Sequence, residues 1–159
     1  MFMQERYLGD IHDFMKLNFL EFISKKIKNK IGLNWYLVDP KNIGNSELSL
    51  NDGEQRNFIS EDKYINRNKR LVNELQSLKK RTNRLIADYT KNTYLNDYLN
   101  FYNEKITTLN RLQWFKDSIL FFKNNEILFL DPDNGLITES ESNNSKRSVK
   151  YISYKEISY

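Results

Sequence analysis

The chain contains two prolines, and each follows an aspartate at the end of a short apolar run. The first run, residues 34–38, precedes Asp39-Pro40, and the second, residues 126–130, precedes Asp131-Pro132. Both runs lack helical periodicity, which is typical of strands that are buried on both faces. Because proline has no N–H to donate to a sheet, each strand is expected to stop at its Asp-Pro step.

Two strands that end in carboxylates predict a ligand site. In an open parallel sheet, ligands bind beyond the carboxyl ends of the strands, at the point where the strand order reverses. Asp39 and Asp131 are therefore expected to meet at such an edge. A carboxylate in that position could accept a hydrogen bond from an amine or a ribose hydroxyl, or bind a metal ion.

The composition restricts the class of protein. A length of 159 residues, with 39% hydrophobic and 29% charged residues, predicts a single α/β domain over residues 1–159. The absence of cysteine excludes disulfides, thiolate zinc sites and cysteine nucleophiles. No apolar run approaches the ~20 residues of a membrane span, and no signal-peptide pattern is present, so we expect a cytoplasmic protein. A net charge of +4 is compatible with a nucleic-acid partner.

The first predicted element is a helix that begins at Ile11 with Asp10 as its N-cap. The helix ends in a basic stretch, and Gly32 lies where a C′ glycine is expected. The side chains predicted to face the core are Ile11, Phe14, Met15, Phe19, Phe22 and Ile23.

Residues 61–124 are predicted to form a helical insert after a loop at 41–60. One helix is expected from its cap at Ser60 to about Asn92, a second from Thr93 to about Asn103, and a third from about Thr107 to Asn124. In the third helix, only one of Trp114 and Phe115 is expected to point into the core. The side chains predicted to face inward there are Leu109, Leu112, Phe115 and Ile119.

The last part of the chain combines a polar loop at 138–147 with a predicted strand at 149–152. Ser153 and Glu156 then form a capping-box pattern, which indicates the start of a helix. Because few residues follow this signal, the domain is expected to be C-terminally incomplete or to be completed in a homo-oligomer.

The string at 9–16 brings Asp10, His12, Asp13 and Lys16 to the start of the first helix. A helix N-terminus can hold an anionic group through its free N–H groups. The alternative is a helix cap with an ion pair between Asp13 and Lys16, three residues apart on one face.

Three stretches of the chain together resemble the bacterial large-subunit ribosomal RNA adenine-N6 methyltransferases. They are Gly-Asp-x-x-Asp-Phe-x-Lys at 9–16, the strand ending at Asp39, and Leu-Asp-Pro at 130–132. The string Leu-Asp-Pro-Asp-Asn-Gly is also similar to one in a group of uncharacterised bacterial proteins. In the methyltransferase motif, a proline and an aromatic residue stand where this chain has Asp133 and Asn134.

The resemblance implies a Rossmann-like fold with a partial parallel sheet and a helical insert, which binds S-adenosylmethionine. It implies a catalytic role for Asp131, which would accept a hydrogen bond from the target amine, with assistance from Asn134. It places Lys16 and Asp39 at the cofactor, together with His12 and Asp13 at the start of the first helix. The implied target is a nucleic-acid base, unless the site is degenerate and inactive.

Two other functions are compatible with the sequence. A metal-dependent phosphodiesterase or nuclease could hold Mg²⁺ with Asp131, Asp133, Glu139 and Glu141 and meet the phosphate with Lys146. A non-catalytic binding module could bind nucleic acid or protein through the basic tract from Arg67 to Arg84. Such a tract is more often the solvated face of an amphipathic helix.

Overall fold

The structure is a computed structural model that describes residues 5, 8–44, 56–79, 85–138 and 145–159. These residues form two compact units. The sheet unit contains described residues 31–44, 100–138 and 145–159, and the helical unit contains residues 5, 8–30, 56–79 and 85–99. The α-helices of the described part are α1 (Ile11–Ile27), α2 (Asp62–Arg67), α3 (Lys69–Lys79), α4 (Ile86–Asn92), α5 (Arg111–Phe121) and α6 (Tyr154–Ile157).

The mixed α/β class predicted from the sequence is confirmed by a small sheet. Its strands are β1 (Ile31–Asn34), β2 (Leu99–Tyr102) and β3 (Leu128–Leu130), in the order β2-β1-β3. β1 pairs with β3 in parallel, with Asn34 opposite Leu130. All four residues of the central strand β1 are buried, which is typical of a strand covered on both faces. Beyond the strands, Val38 forms an isolated parallel bridge with Ile106.

The predicted position of the first strand is wrong by several residues. The run at 34–38 was expected to form it, but β1 ends at Asn34. Tyr36 has a φ of 48°, in the left-handed region, and this turns the chain out of the ladder. The bulky apolar side chains of this run are buried by side-chain packing outside the sheet ladder. Trp35, for example, stacks on Phe101 with ring centroids 6.0 Å apart.

Gly32 does not have the role of a helix C′ residue. Lys28, with a φ of 57°, ends α1 in the left-handed conformation, and Gly32 lies within β1. A Cβ atom at Gly32 would lie 2.5 Å from the Phe122 ring, so this position is glycine because an aromatic ring packs against its backbone.

Helix α1 buries Phe14 as predicted, but the rest of its buried face differs from the predicted one. Its buried residues include Phe14, Leu17 and Leu20, whereas Met15, Phe19 and Phe22 are largely exposed. The cap is as predicted, since Asp10 accepts hydrogen bonds from the backbone of His12 and Asp13. In the helical unit Phe14 packs against Phe58, with ring centroids 5.3 Å apart, and against Tyr64 at 5.5 Å.

The helical insert is less regular than predicted. Asn68 separates α2 from α3, and its Oδ1 accepts a hydrogen bond from the backbone of Leu71 at 3.0 Å. The helix predicted at 93–103 is wrong, because a 3₁₀ turn at Tyr94–Asp97 leads into β2. The helix predicted at 107–124 is confirmed as α5, but both Trp114 and Phe115 are buried, and Leu109 and Leu112 are exposed.

Near the end of the described chain, the strand predicted at 149–152 is wrong. Lys146–Lys150 is a 3₁₀ turn, and only Ile152 forms a bridge, with Leu136. The capping box is confirmed at α6, where Ser153 and Glu156 bond to each other's backbone N–H groups. Of the helices in the described ranges, none has the length and apolarity needed to cross a bilayer.

Candidate functional site

The carboxyl ends of β1 and β3 lie side by side. The N–H of Asp131, the residue after β3, donates to the carbonyl of Asn34, the last residue of β1, at 2.9 Å. The chain passes from β1 to β2 on one side of β1 and then crosses to β3 on its other side, so the strand order reverses between β1 and β3. The neighbouring strand tips expected from the sequence are therefore present, and the backbone of Asp131 is bonded to that of Asn34.

Asn34 is completely buried and only partly hydrogen-bonded. Its Oδ1 accepts from the backbone N–H of Tyr36 at 3.2 Å. Its Nδ2 has no hydrogen-bond partner among the described residues. A buried amide donor without an acceptor is costly, which distinguishes this group at the end of the central strand. The sequence signal was a polar residue at the start of an otherwise apolar run.

The turn after β3 is held from its far side by the chain that precedes α6. Asn134 donates its backbone N–H to the carbonyl of Lys150 at 2.9 Å, and the carbonyl of Gly135 accepts from Ile152 at 2.9 Å. Gly135 has a φ of 75°, which confirms the turn predicted from the Asp-Asn-Gly string. Asp131 is half-buried in this turn, and Asn134 is exposed.

A buried ion pair supports the same turn. Lys150 Nζ lies 3.7 Å from Asp133 Oδ2, and the exposed fractions of the two side chains are 10% and 1%. Nothing local in the sequence links Lys150 to Asp133, so no role of Lys150 could be predicted from it. Lysine is seldom fully buried unless it is paired, and its position between the buried Val149 and Ile152 was the available signal.

Asp39 lies beyond the end of β1, directly after the Val38–Ile106 bridge. Its Oδ1 accepts from the backbone N–H of Lys41 at 3.0 Å, and its carbonyl accepts from Asn42 at 2.9 Å. These local bonds form the 3₁₀ turn at Pro40–Asn42. A shared ligand site for Asp39 and Asp131 stays a prediction.

The other predicted cofactor residues belong to the helical unit. Lys16 Nζ lies 2.9 Å from Asp13 Oδ1, and the N–H of Gly9 donates to Asp13 Oδ2 at 2.8 Å. Lys16 and Asp13 are mostly buried, and His12 is exposed. The expected ion pair is therefore present, while a role of these residues at a cofactor stays a prediction.

Asp10, the N-cap of α1, is a buried carboxylate whose two oxygens differ in their hydrogen bonds. Its Oδ1 accepts from the N–H groups of His12 at 2.9 Å and Asp13 at 3.1 Å. Its Oδ2 is buried without a hydrogen-bond partner in the described ranges. Burial, followed by the charge of Asp13, raises the pKa of Asp10 above its ordinary 3.8.

We expect the substitution Asp10→Ser to weaken the pH dependence of stability. Since the folded pKa of Asp10 lies above the unfolded value, its contribution is fully present below 3.8 and is lost as pH rises through the folded pKa. Serine keeps one capping oxygen and removes the buried charge. Urea unfolding at acidic and neutral pH should show that the stability of Asp10→Ser increases relative to that of wild type as pH rises. Asp10→Ala lacks the cap and should lose about 1 kcal/mol of stability. A parallel pH profile for wild type and Asp10→Ser would contradict this expectation.

Of the four carboxylates proposed for a metal site, Asp131 and Asp133 lie in the described part of the chain. No group of three or more histidine, aspartate or glutamate side chains there could hold a metal ion. Glu139 and Glu141 lie outside the described residues, and Lys146 is exposed.

The basic tract from Arg67 to Arg84 is described only in part. Arg67 is exposed, and Arg70 stacks over the Tyr94 ring at 4.0 Å. Residues 80–84 lie outside the described ranges.

Compared with protein-family models, with curated proteins and with solved structures, the chain has no match.

Proposed function

We propose that this protein is methyltransferase-like and binds S-adenosylmethionine at the carboxyl edge of β1 and β3. The observation that carries the proposal is the hydrogen bond from Asp131 to Asn34 at a point where the strand order of a parallel sheet reverses. Such points are where open α/β sheets bind nucleotides and related ligands. A Rossmann-like fold is part of the same proposal.

The donor set at this edge fits part of the cofactor. The buried Nδ2 of Asn34 would donate to an acceptor, such as a carboxylate oxygen or a ring nitrogen. Asp39 would accept from a hydroxyl or an amine. S-adenosylmethionine supplies an electrophilic methyl group.

The protein's part in methyl transfer is chiefly orientation. Asp131, half-buried directly after β3, would accept a hydrogen bond from the target amine and fix the direction of its lone pair. Asn134, exposed in the same turn, would contact the target from the solvent side. The ion pair of Lys150 and Asp133 would hold both residues in place. A nucleic-acid base is the target that the resemblance suggests.

Thermal and chemical unfolding with S-adenosylmethionine, or with its demethylated product, tests the proposal. Ligand at 100 times its dissociation constant should raise the free energy of unfolding by about 2.7 kcal/mol. The gain should be lost in Asn34→Leu, which removes the buried amide, and kept in Asp117→Asn, which changes an exposed carboxylate on α5.

Two outcomes would contradict it. One is no stabilisation by either compound at millimolar concentration. The other is stabilisation by Mg²⁺ alone that is lost in Asp131→Asn, which would favour a metal-dependent phosphodiesterase instead.

A further inference from the structure

One side of α1 exposes large apolar side chains in a regular row. Met15, Phe19 and Phe22 are exposed by 46%, 54% and 54%. Their spacing of i, i+4 and i+7 places them on one face of the helix, opposite the face that Leu17 and Leu20 bury. Single exposed apolar residues are common, whereas contiguous exposed apolar patches are typical of interaction surfaces.

This row forms one wall of a groove of about 620 Å³, which also contacts Arg67 at the end of α2 and Asn68 after it. We call it the α1 groove. Its lining residues are Met15, Asn18, Phe19, Glu21, Phe22, Lys25, Arg67 and Asn68.

The floor of the α1 groove is fixed by hydrogen bonds within the helical unit. Asn68 donates its Nδ2 to Asn18 Oδ1 at 3.1 Å and to Glu21 Oε2 at 2.7 Å. The hydroxyl of Tyr94 also donates to Glu21 Oε2, at 2.7 Å. The polar side chains of the floor are therefore already hydrogen-bonded to one another. The exposed surface that a ligand could bury is the apolar wall.

The rim of the groove is positive. Lys25 Nζ lies 2.5 Å from Glu21 Oε1, so these two charges offset each other. Burial alone would raise the pKa of Glu21, but hydrogen bonds from Lys25, Tyr94 and Asn68 outweigh it and leave that pKa below its ordinary value. Glu21 is thus charged at neutral pH. Arg67, and Lys26 with its ammonium 5.5 Å from the Phe22 ring centroid, add net positive charge.

We propose that the α1 groove binds an acidic amphipathic helix of a partner protein. A helix that carries apolar residues on one face fits the row of Met15, Phe19 and Phe22, as in helix-in-groove recognition. Acidic residues flanking that face would complement Arg67 and Lys26. A nucleic acid fits less well, because the groove contains a buried carboxylate and its nearest lysine is already paired with it. The proposal is independent of the cofactor site, which lies in the sheet unit.

Fluorescence anisotropy with a labelled synthetic peptide tests this proposal on the full chain. The probe is a helix of about five turns with leucines on one face and glutamates elsewhere, and its control is a peptide of the same composition in scrambled order. The ordered peptide should bind at least about tenfold more tightly than the scrambled one.

Variants locate the binding. Phe19→Ser and Phe22→Ser should each weaken binding about tenfold or more, whereas Leu109→Ser, at a side chain that is 98% exposed in the other unit, should not change it. The double variant Lys26→Glu/Arg67→Glu should weaken binding and reduce its salt dependence. Lys123→Glu, at an exposed site in the sheet unit, is the matched control. Circular dichroism confirms that each variant is folded.

Four results would overturn the proposal. The two peptides could bind equally, or the Phe19 and Phe22 variants could bind like wild type. A single-stranded oligonucleotide could bind with dependence on Phe19 and Phe22 where the peptide does not, which would assign the surface to nucleic acid. Concentration-dependent self-association that is abolished by Phe19→Ser, without peptide binding, would assign it to a second copy of the chain.

Discussion

Lys150→Met is expected to lower the free energy of unfolding by about 3–5 kcal/mol, because it leaves the carboxylate of Asp133 buried without its ammonium partner. The exposed fraction of the Asp133 side chain is 1%, so water cannot replace the lost contact without local opening. Equilibrium urea unfolding measures the change. Methionine is suitable because it retains most of the side-chain volume.

The double variant Lys150→Met/Asp133→Leu separates the ion pair from packing. Replacing both members of a buried pair by apolar residues is often nearly neutral, so much of the lost stability should return. Lys155→Met, at an exposed lysine of the neighbouring helix α6, is the matched control and should change stability by less than about 0.5 kcal/mol. A small effect of Lys150→Met would show that Asp133 is sufficiently stabilised by its other contacts.

Arg111→Met should have an effect of similar size, about 3–5 kcal/mol, concentrated at α6. Arg111 Nε and Nη2 donate to the two carboxylate oxygens of Glu156 at 2.8 and 2.6 Å. Its guanidinium also donates to the carbonyls of Ser148 at 2.6 Å and Tyr151 at 2.7 Å. No other side chain can replace this planar set of donors, so even Arg111→Lys should recover only a minor part.

Hydrogen exchange of residues 145–159 measures the loss of stability expected for Arg111→Met. Backbone amides in α6 should exchange faster in Arg111→Met, while α1 in the other unit should retain its protection. Lys116→Met, at an exposed position on α5, should leave both unchanged. Equal acceleration throughout the chain would instead indicate global unfolding. The hydroxyl of Tyr36, which is close to Glu156, stays protonated at neutral pH. Burial, followed by the charge of Glu156, raises its pKa well above the ordinary value.

Features that depend on neighbouring residues could be predicted from the sequence. The N-cap Asp10, the capping box of α6 and the turn at Gly135 each arise from bonds between residues close in the chain. Strand β3 was also predicted, since a short apolar run before Asp131 has few alternatives. The same reasoning predicted the ion pair of Asp13 and Lys16.

Features that depend on packing could not be predicted in this way. The apolar residues of α1 occur on two sides, and only tertiary contacts determine that Leu17 is buried while Phe19 is exposed. The positive φ of Tyr36 is unusual for an aromatic residue, so its run was interpreted as a strand. For the candidate site, Asp131 was predicted correctly at the tip of β3, but Asn34 and Lys150 were not, because their partners are distant in sequence.

Among the described strands β3 lies at one margin of the sheet, which affects how the protein behaves in concentrated solution. A marginal strand offers backbone groups to other chains, and the half-buried Leu128, Phe129 and Leu130 would favour such intermolecular pairing. Glu126 and Asp131 flank this strand with negative charge, the usual protection against aggregation. Asp131→Asn therefore removes a solubilising charge as well as the proposed acceptor, and light scattering should accompany any assay that uses this variant.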